Sequence, residues 1–481
     1  MAALNLSAVD LGLLIAYLAG SLLLGIWLGR GQRTATDYML GGRDLPGWTV
    51  LLSIVATETS TVTFLSVPGI AAFGTGDLTF LQLPLGYLLG RVIVSAWLLP
   101  KYFAGEFFTA YQVLHLRFGS RVKQAAASLF LITRTLADGL RLYLTAVVLK
   151  ELSGLPMNES IALMGAITIV YTFFGGMKAV VWTDVMQFFV YVAGAAAALW
   201  ILLGKVDGGF AHVVDAGSAA GKWRWLDLST DLAKPYTLLG GLLGGTVLAL
   251  GTHGTDQLMV QRYLCAQNER AARRALVASG VVVLAQFAFF LLIGVALFVF
   301  YGQHAPATPF SKGDQVFPAF IVNHLQEPRG LLGLVLGAVF AAAMSTLSSS
   351  LNSSATTLIS DLYVPLLRKD ATPEQQLRMT RAATLLFGGL QVAVGILGQK
   401  LQQSVVDSVL TIAGLTTGAV LGVFALGSFG TRATARGALV GLVAGIGTVV
   451  CVWALGGVAW PYFALIGALT TYGVGSLVSR L

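Results

Sequence analysis

Long apolar stretches recur along the whole chain, and only short polar segments separate them. A helix needs about 20 apolar residues to cross the roughly 30 Å of hydrocarbon in a bilayer. The pattern predicts thirteen such helices, at residues 9–29, 47–73, 78–100, 122–150, 159–175, 179–204, 237–262, 275–301, 329–362, 378–399, 404–429, 435–456 and 458–479. The chain is therefore predicted to be an all-α polytopic membrane protein.

The composition excludes most other classes of protein. Of the 481 residues, 56% are hydrophobic and only 11% are charged, whereas a soluble domain carries about 25% charged residues. Because no long polar block interrupts the apolar stretches, we expect one integral membrane domain. Cys265 and Cys451 lie far apart and neither is part of a CxxC pattern, so neither a disulfide nor a metal cluster is expected. The first stretch lacks the basic lead-in and cleavage site of a signal peptide, and we expect it to stay in the mature protein.

The basic residues predict the orientation in the membrane. With the N-terminus outside and the C-terminus in the cytoplasm, 19 of the 30 Lys and Arg residues lie on the cytoplasmic side and 8 on the other, with three inside the spans. The positive-inside rule favours this topology in a plasma (inner) membrane. It also explains the net charge of +8 without a nucleic-acid partner, so membrane lipid is the expected surrounding.

The second span is interrupted by polar residues. Thr57, Glu58, Thr59, Ser60, Thr61 and Thr63 follow one another closely, and Pro68 and Gly69 come soon after. This pattern is typical of a discontinuous helix whose freed carbonyl groups line a cavity. The alternative is a continuous helix whose hydroxyl groups bond to their own backbone. Glu58 favours the first interpretation, because a carboxylate at this depth needs a partner or water.

The ninth span is rich in serine between Ser345 and Asp361. Ser345, Ser348 and Ser349 are spaced i, i+3 and i+4, so their hydroxyl groups share one helix face and can offer oxygen ligands to a small cation. Thr346 points about 100° away from that face. The alternative interpretation is close helix packing through small residues.

Other polar residues interrupt the apolar pattern elsewhere. Arg134, Asp138 and Arg141 share one face of the fourth span, which predicts either an internal ion network or a site for an anionic substrate. Asp184 and Asp256 could each cap a helix near the membrane surface. His253 is interpreted as a packed histidine or as a proton relay, with packing favoured.

Four sequence motifs together resemble the sodium:solute symporter family. They are Gly41-Gly42-Arg43-Asp44-Leu45-Pro46, the segment from Gly175 to Gln187 that contains Trp182-Thr183-Asp184, Asp256-Gln257 with Gln261-Arg262, and Ser360-Asp361-Leu362-Tyr363. They occur in family order and cover essentially the whole chain. That family includes sodium-coupled sugar, proline, sialic acid, monocarboxylate, multivitamin and iodide transporters.

The resemblance implies a leucine-transporter-like fold with two inverted five-helix repeats. The expected boundaries are 1–46 for an extra N-terminal helix and cytoplasmic loop, 47–204 and 237–429 for the repeats, 205–236 for an extracellular loop and 430–481 for two C-terminal helices. It also implies a sodium site formed by the carbonyl groups of Ala56, Thr59 and Ala342 and the hydroxyl groups of Ser345 and Thr346. A second sodium site, present in some members, would use Asp184, Ser348 and Ser349 and share Ser345, which predicts two Na⁺ per cycle.

The resemblance leaves the solute less defined. The positions aligned with the sugar site are Glu58, Thr63, Gln82, Asp256, Val283 and Leu410, and the inner gate position is Leu258. These residues argue against a hexose, because sugar hydroxyl groups need several directed polar partners. Arg134 and Arg141 are further candidates, although neither aligns cleanly with the arginine of the sialic acid branch. We expect a small organic solute, a monocarboxylate or other organic anion, with a sugar or an amino acid as the alternative.

Other functional classes find less support in the sequence. A channel would show a repeated filter or an oligomeric pore helix, and a receptor would carry a signalling module. The five histidines show no HExxH spacing, and no nucleophile and base stand out, so an enzyme is not expected. The expected partners are a small-molecule solute and lipid around a monomer, with Na⁺ as the coupling ion.

Overall fold

The computed structural model describes residues 6–306, 308–400 and 405–481. Those residues form helices, and their extended pairing is a single bridge between Leu45 and Ala266. The all-α prediction is confirmed. The α-helices are α1 (Ala8–Leu28), α2 (Ala35–Leu40), α3 (Gly47–Glu58), α4 (Thr61–Ala72), α5 (Gln82–Trp97), α6 (Leu99–Phe103), α7 (Tyr111–Phe118), α8 (Ser120–Ser153), α9 (Met157–Lys205), α10 (Gly209–Ala219), α11 (Thr246–Gly254), α12 (Gln257–Leu264), α13 (Glu269–Gln303), α14 (Val316–His324), α15 (Leu331–Thr357), α16 (Val364–Leu367), α17 (Pro373–Gly398), α18 (Val405–Phe429), α19 (Ala435–Leu455) and α20 (Pro461–Val478).

The predicted spans correspond to these helices with three adjustments. Within the described residues, nine helices are long and apolar enough to cross a membrane, or ten if the bent pair α3 and α4 counts as one span. Two predicted spans join in α9, where Gly176 breaks the helical backbone with φ +55° and ψ −162°. The two remaining predicted spans, 122–150 and 237–262, correspond to the charged helix α8 and to the interrupted segment from Gly240 to Leu264. The predicted eleventh span begins at residue 404, which lies outside the described residues.

The second predicted span is discontinuous, as expected. The axes of α3 and α4 are bent by 63° at Thr59 and Ser60. In an unbroken helix the amide of Ser60 would donate to the carbonyl of Ala56, but here it donates to the carbonyl of Glu58 at 3.1 Å. The carbonyl of Ala56 therefore has a lone pair free for a group from another helix.

Helix α15 lies at the centre of the bundle. In its most apolar window 89% of the residues are buried, so its serines face other helices rather than lipid. A π-helical segment at Leu358–Tyr363 follows it. The N-terminal end of α15 is capped by a residue that is distant in sequence. Oδ1 of Asp10 in α1 accepts hydrogen bonds from the amides of Gly330 and Gly333 at 3.0 and 2.8 Å.

A second discontinuity lies between α11 and α12. Asp256 is the N-cap residue of α12, and its side chain accepts a hydrogen bond from the amide of Leu258 at 2.9 Å. The capping interpretation of Asp256 is confirmed. The same interpretation is wrong for Asp184, which is fully buried in the middle of α9. An aspartate so far from a helix end needs partners from other helices.

Candidate functional site

The break between α3 and α4 lies against the serines of α15. The hydroxyl of Ser345 donates to the carbonyl of Ala56 at 2.9 Å and is 3.2 Å from the carbonyl of Ala342. The hydroxyl of Thr346 donates to the carbonyl of Thr57 at 3.0 Å. The structure thus brings together four of the five residues predicted for the first sodium site. Their carbonyl and hydroxyl oxygens are the type of donor that hard cations prefer.

The fifth residue, Thr59, lies at the bend itself. It ends α3 with φ −81° and ψ 84°, which turns its backbone away from the helical direction. Its hydroxyl donates to the carbonyl of Val55 at 2.8 Å and accepts from Gln286 Nε2 at 2.6 Å. Tyr191 completes this cluster, with its hydroxyl 3.2 Å from that of Thr59. The sequence analysis did not single out Gln286, although an amide in the middle of the apolar helix α13 was a usable signal.

Of the residues predicted for the second sodium site, Asp184 is a buried carboxylate whose hydroxyl partners come from α3, whereas the serines bond within α15. Asp184 Oδ2 accepts hydrogen bonds from Ser53 Oγ at 2.5 Å and from Thr57 Oγ1 at 3.3 Å. The hydroxyl groups of Ser348 and Ser349 both donate to the carbonyl of Ser345, at 3.3 and 2.6 Å. In the described part of the chain, Asp184 Oδ1 is buried without a hydrogen-bond partner.

Arg262, one of the 19 basic residues on the cytoplasmic side of the predicted topology, lies inside this cluster. Arg262 and Asp184 are both fully buried, and Arg262 Nη2 is 3.1 Å from Asp184 Oδ2. The same Nη2 group also donates to the hydroxyl groups of Thr57 and Ser349. The position of Arg262 near the end of a predicted span made a loop location plausible, and its charge alone did not identify a partner.

A cavity of about 660 Å³ lies next to the helix break. Glu58, Thr63 and Arg141 line it, and it reaches Asp314 and Trp453, which are exposed. Asp314 belongs to the segment between α13 and α14, on the predicted extracellular side. Aromatic side chains form much of the remaining wall, namely Phe80, Tyr87, Tyr236, Phe287, Trp460 and Phe463.

A second cavity of about 230 Å³ is lined by Arg134, Asp256 and Thr346 among others. The two cavities share six lining residues, namely Glu58, Ser60, Arg141, Leu248, Thr252 and Trp460. Thr346, whose hydroxyl reaches the carbonyl of Thr57, therefore belongs both to the predicted sodium site and to the wall of this cavity.

Glu58 has a buried counter-ion that the sequence did not identify. Arg91 of α5 is fully buried and donates from Nη2 to Glu58 Oε2. Its Nε is 3.2 Å from His253 Nε2, and arginine is only a donor, so His253 accepts through a neutral ring nitrogen. His253 Nδ1 lies 2.9 Å from the hydroxyl of Tyr263. The histidine is thus buried and hydrogen-bonded, and it also lines the larger cavity.

The charged face of α8 forms an ion network with one additional member. Arg141 Nη1 is 2.5 Å from Asp138 Oδ1, and Arg134 Nη1 is 3.6 Å from Asp138 Oδ2. Arg134 also pairs with Asp256 at the start of α12. With Asp256 included, the four residues have no net charge, whereas Arg134, Asp138 and Arg141 alone carry a net charge of +1. Arg141 remains the member shared by both cavities.

Two other residues predicted around the solute, Gln82 and Val283, line neither cavity. Gln82 is fully buried, and its amide bonds to the backbone at Thr79, Asp227 and Tyr236 at 3.2, 3.2 and 3.0 Å. Its polar groups therefore hold the loop before α11 and are not free for a solute. Val283 is buried in the core and Leu258 lines the smaller cavity. The side chain of Leu410 is outside the described part of the chain.

Residues 38–445 match the family model of the sodium:solute symporter family. The chain belongs to this family. A sodium/sialic acid symporter of Proteus mirabilis is 31% identical, over 98% of this chain and 95% of that protein. The sodium/iodide cotransporter of Homo sapiens is also 31% identical, over 94% of this chain and 71% of its own length.

Solved structures support the fold. The chain resembles a substrate-bound, outward-open structure of a Na⁺-coupled sialic acid symporter with a TM-score of 0.88, at 29% identity and 98% coverage of both chains. A nucleobase-cation-symport-1 family transporter gives a TM-score of 0.56 at 14% identity, with 94% of this chain and 95% of that chain covered. The expected leucine-transporter-like fold is confirmed. This sodium:solute symporter is an integral membrane protein that couples Na⁺ to a small-molecule solute, and it is a transporter rather than an enzyme.

Proposed function

We propose that this symporter imports a small organic solute that carries a carboxylate, using the two cavities beside the helix break. The observation that supports this most directly is that the break between α3 and α4 contributes residues both to the proposed ion site and to the wall of the larger cavity. Ala56 and Thr57 direct carbonyl groups to the serine helix, whereas Glu58, Ser60 and Thr63 line the larger cavity. A solute in the cavity and an ion at the break would therefore stabilise the same bent conformation.

The solute carboxylate is proposed to bind at Arg141. Its Nη1 is used by Asp138, and the side chain is 22% exposed toward both cavities. Arg134 is less available, because Asp138 and Asp256 flank it. The preferred solutes are a monocarboxylate or another organic anion, and an amino acid also carries the required carboxylate. The relatives named for sialic acid and iodide are consistent with an anionic solute.

We propose two Na⁺ ions per cycle. The first binds the oxygens of Ala56, Thr59, Ala342, Ser345 and Thr346, and the second binds Asp184, Ser345, Ser348 and Ser349. One ion that crosses about 100 mV gains about 2.3 kcal/mol, and a tenfold gradient adds about 1.4 kcal/mol. Two ions thus provide about 7 kcal/mol. Moving a monovalent anion inward against the same potential costs about 2.3 kcal/mol, which leaves about 5 kcal/mol, enough for about 5,000-fold accumulation. One ion would leave only about 1.4 kcal/mol, or about tenfold accumulation.

The membrane arrangement follows the charge distribution. The N-terminus is proposed to be outside and the C-terminus cytoplasmic in the plasma (inner) membrane, with repeats at 47–204 and 237–429. In this orientation the larger cavity faces outward, and the solute enters beside Asp314. A monomer contains every residue of the proposed sites.

A thermal-shift screen of the purified protein tests the coupling. Ligands that bind the folded state stabilise it, so sodium should raise the melting temperature more than potassium does at equal ionic strength. Monocarboxylates, amino acids and sugars are then added at saturating sodium. A carboxylate-bearing solute should add a further, sodium-dependent shift that is lost in Arg141→Gln. Equal shifts in sodium and potassium would contradict the proposed ion site, and a shift with sugars alone would contradict the proposed solute class.

A further inference from the structure

Arg262 joins four helices through one guanidinium group. Its Nε donates to Ser53 Oγ of α3 at 2.9 Å, and its Nη1 donates to the carbonyl of Leu258 within α12 at 2.5 Å. Its Nη2 reaches Asp184 of α9 and Ser349 of α15. All the nitrogen atoms of this side chain therefore have partners in the described structure, and the group has no exposed surface.

Two of these partners, Asp184 and Ser349, are also proposed ligands of the second sodium ion. A carboxylate oxygen and a hydroxyl oxygen that already accept from a guanidinium are poorer ligands for another cation. Two positive charges around one buried carboxylate also repel each other strongly, because the protein interior screens charge weakly. Asp184 Oδ1, which lacks a hydrogen-bond partner among the described residues, is the part of the carboxylate that an ion can approach first.

We infer that Arg262 is a tethered cation that competes with the second sodium ion for Asp184 and Ser349. This inference rests on the proposed two-sodium symport. When the ion binds, the guanidinium withdraws from these two residues. Its withdrawal also loosens α12 from α3, α9 and α15, so the second ion is linked to movement of the cytoplasmic half of the second discontinuous helix.

Sodium titration of the purified protein, followed by thermal shift at constant ionic strength, tests the competition. The wild-type protein should show a tight phase from the first site and a weak phase from the second. In Arg262→Gln the competing charge is absent, and glutamine retains hydrogen-bonding groups near Asp184. The weak phase should move to sodium concentrations lower by about tenfold or more, while the tight phase stays within about twofold.

Two further variants identify the weak phase and guard against a folding defect. The double variant Arg262→Gln with Asp184→Asn buries no charge at this position, so it should fold and show the tight phase alone. Arg262→Lys keeps the charge but cannot reproduce the planar set of donors, so it should move the weak phase in the same direction by a smaller factor. If Arg262→Gln does not fold, the lysine variant decides the question.

Two results would overturn the inference. In the first, the midpoint of the weak phase in Arg262→Gln stays at the wild-type sodium concentration or moves to a higher one. In the second, neither the wild type nor Arg262→Gln shows a weak phase. Thr346→Ala separates this inference from the proposed function, because Thr346 belongs to the first site alone and its loss should move the tight phase to higher sodium concentrations. If the tight phase responds to Thr346→Ala and the weak phase does not respond to Arg262→Gln, the sodium-coupled function stands and the competition does not.

Discussion

The hydroxyl of Ser345 lies 2.9 Å from the carbonyl oxygen of Ala56. This contact connects the buried helix α15 to the point where α3 ends, and the carbonyl of Ala56 is available because the amide of Ser60 donates to Glu58 instead. The residues that bend the first discontinuous helix thus also create the acceptor that the serine helix uses. An ion bound here and a solute bound at Glu58 or Ser60 would contact consecutive parts of the same interruption.

Ser345→Ala and Thr346→Ala should each raise the sodium concentration for half-maximal uptake. Each substitution removes one oxygen ligand, and the loss of one charge-assisted contact is worth about 1.5–3 kcal/mol, or about tenfold or more in affinity. Sodium-dependent uptake in proteoliposomes provides the measurement. Ser353→Ala is the matched control, because its hydroxyl donates to the carbonyl of Ser350 within the same helix. Unchanged sodium dependence in both site variants would refute the assigned site.

Asp184→Asn should lower the melting temperature, because it leaves Arg262 buried without its counter-charge. Removing one partner of a buried ion pair typically costs about 3–5 kcal/mol. Adding Arg262→Gln should restore much of the lost stability, since the pair is then replaced by two neutral amides. The uptake ratio of sodium to solute should also fall from two to one in Asp184→Asn. A single variant as stable as wild type would mean that the pair is not coupled.

Arg134→Ala and Arg141→Gln should have different effects. Arg134 lies between Asp138 and Asp256, so its loss should reduce expression and folded yield. Arg141 faces the cavities, so Arg141→Gln should fold and lose solute uptake while keeping the sodium-induced thermal shift. Size-exclusion profiles and uptake, measured together, distinguish the two roles. Normal yield with lost uptake in Arg134→Ala would place Arg134 in the solute pathway instead.

Asp10→Ala should destabilise the contact between α1 and α15. It removes the acceptor for the amides of Gly330 and Gly333 in a buried position, at a cost of about 1–3 kcal/mol. Asp10→Asn retains an acceptor oxygen in the same place and should cost less. Thermal unfolding of the two variants measures the difference. Equal melting temperatures for Asp10→Ala and wild type would show that this cap contributes little.

Lys222→Met should loosen the loop that follows α10. Lys222 Nζ donates to the carbonyl groups of Ala71, Gly74 and Gly76 at 3.1, 2.7 and 2.8 Å and lies 4.1 Å from the ring centroid of Phe298. Burial lowers the pKa of Lys222 below its usual value, and these acceptors hold the ammonium in place. Limited proteolysis between Gly221 and Tyr236 should become faster in the variant, with Lys234→Met, an exposed site, as the control. Equal cleavage rates in the two variants would contradict the anchoring role.

Several features could be predicted from the sequence because they depend on local chemistry. The apolar stretches predicted the helices, since a bilayer span requires about 20 apolar residues. The polar run from Thr57 to Thr63 predicted the break, and the spacing of Ser345, Ser348 and Ser349 predicted a shared polar face. The assignment of these residues to a sodium site came from family resemblance, and it stays a prediction for the experiments above.

Only the tertiary structure decided which charge meets which. A buried charge requires a partner, but periodicity does not say which of a dozen other helices provides it. Arg91 therefore meets Glu58, Arg262 meets Asp184, and Asp256 neutralises the arginines of α8, all across large separations in sequence. Gln82 shows the converse, because its polar amide was expected at the solute and instead bonds to nearby and distant backbone. The sequence by itself determined where helices form and break, and the packing of those helices determined the pairing of their buried polar groups.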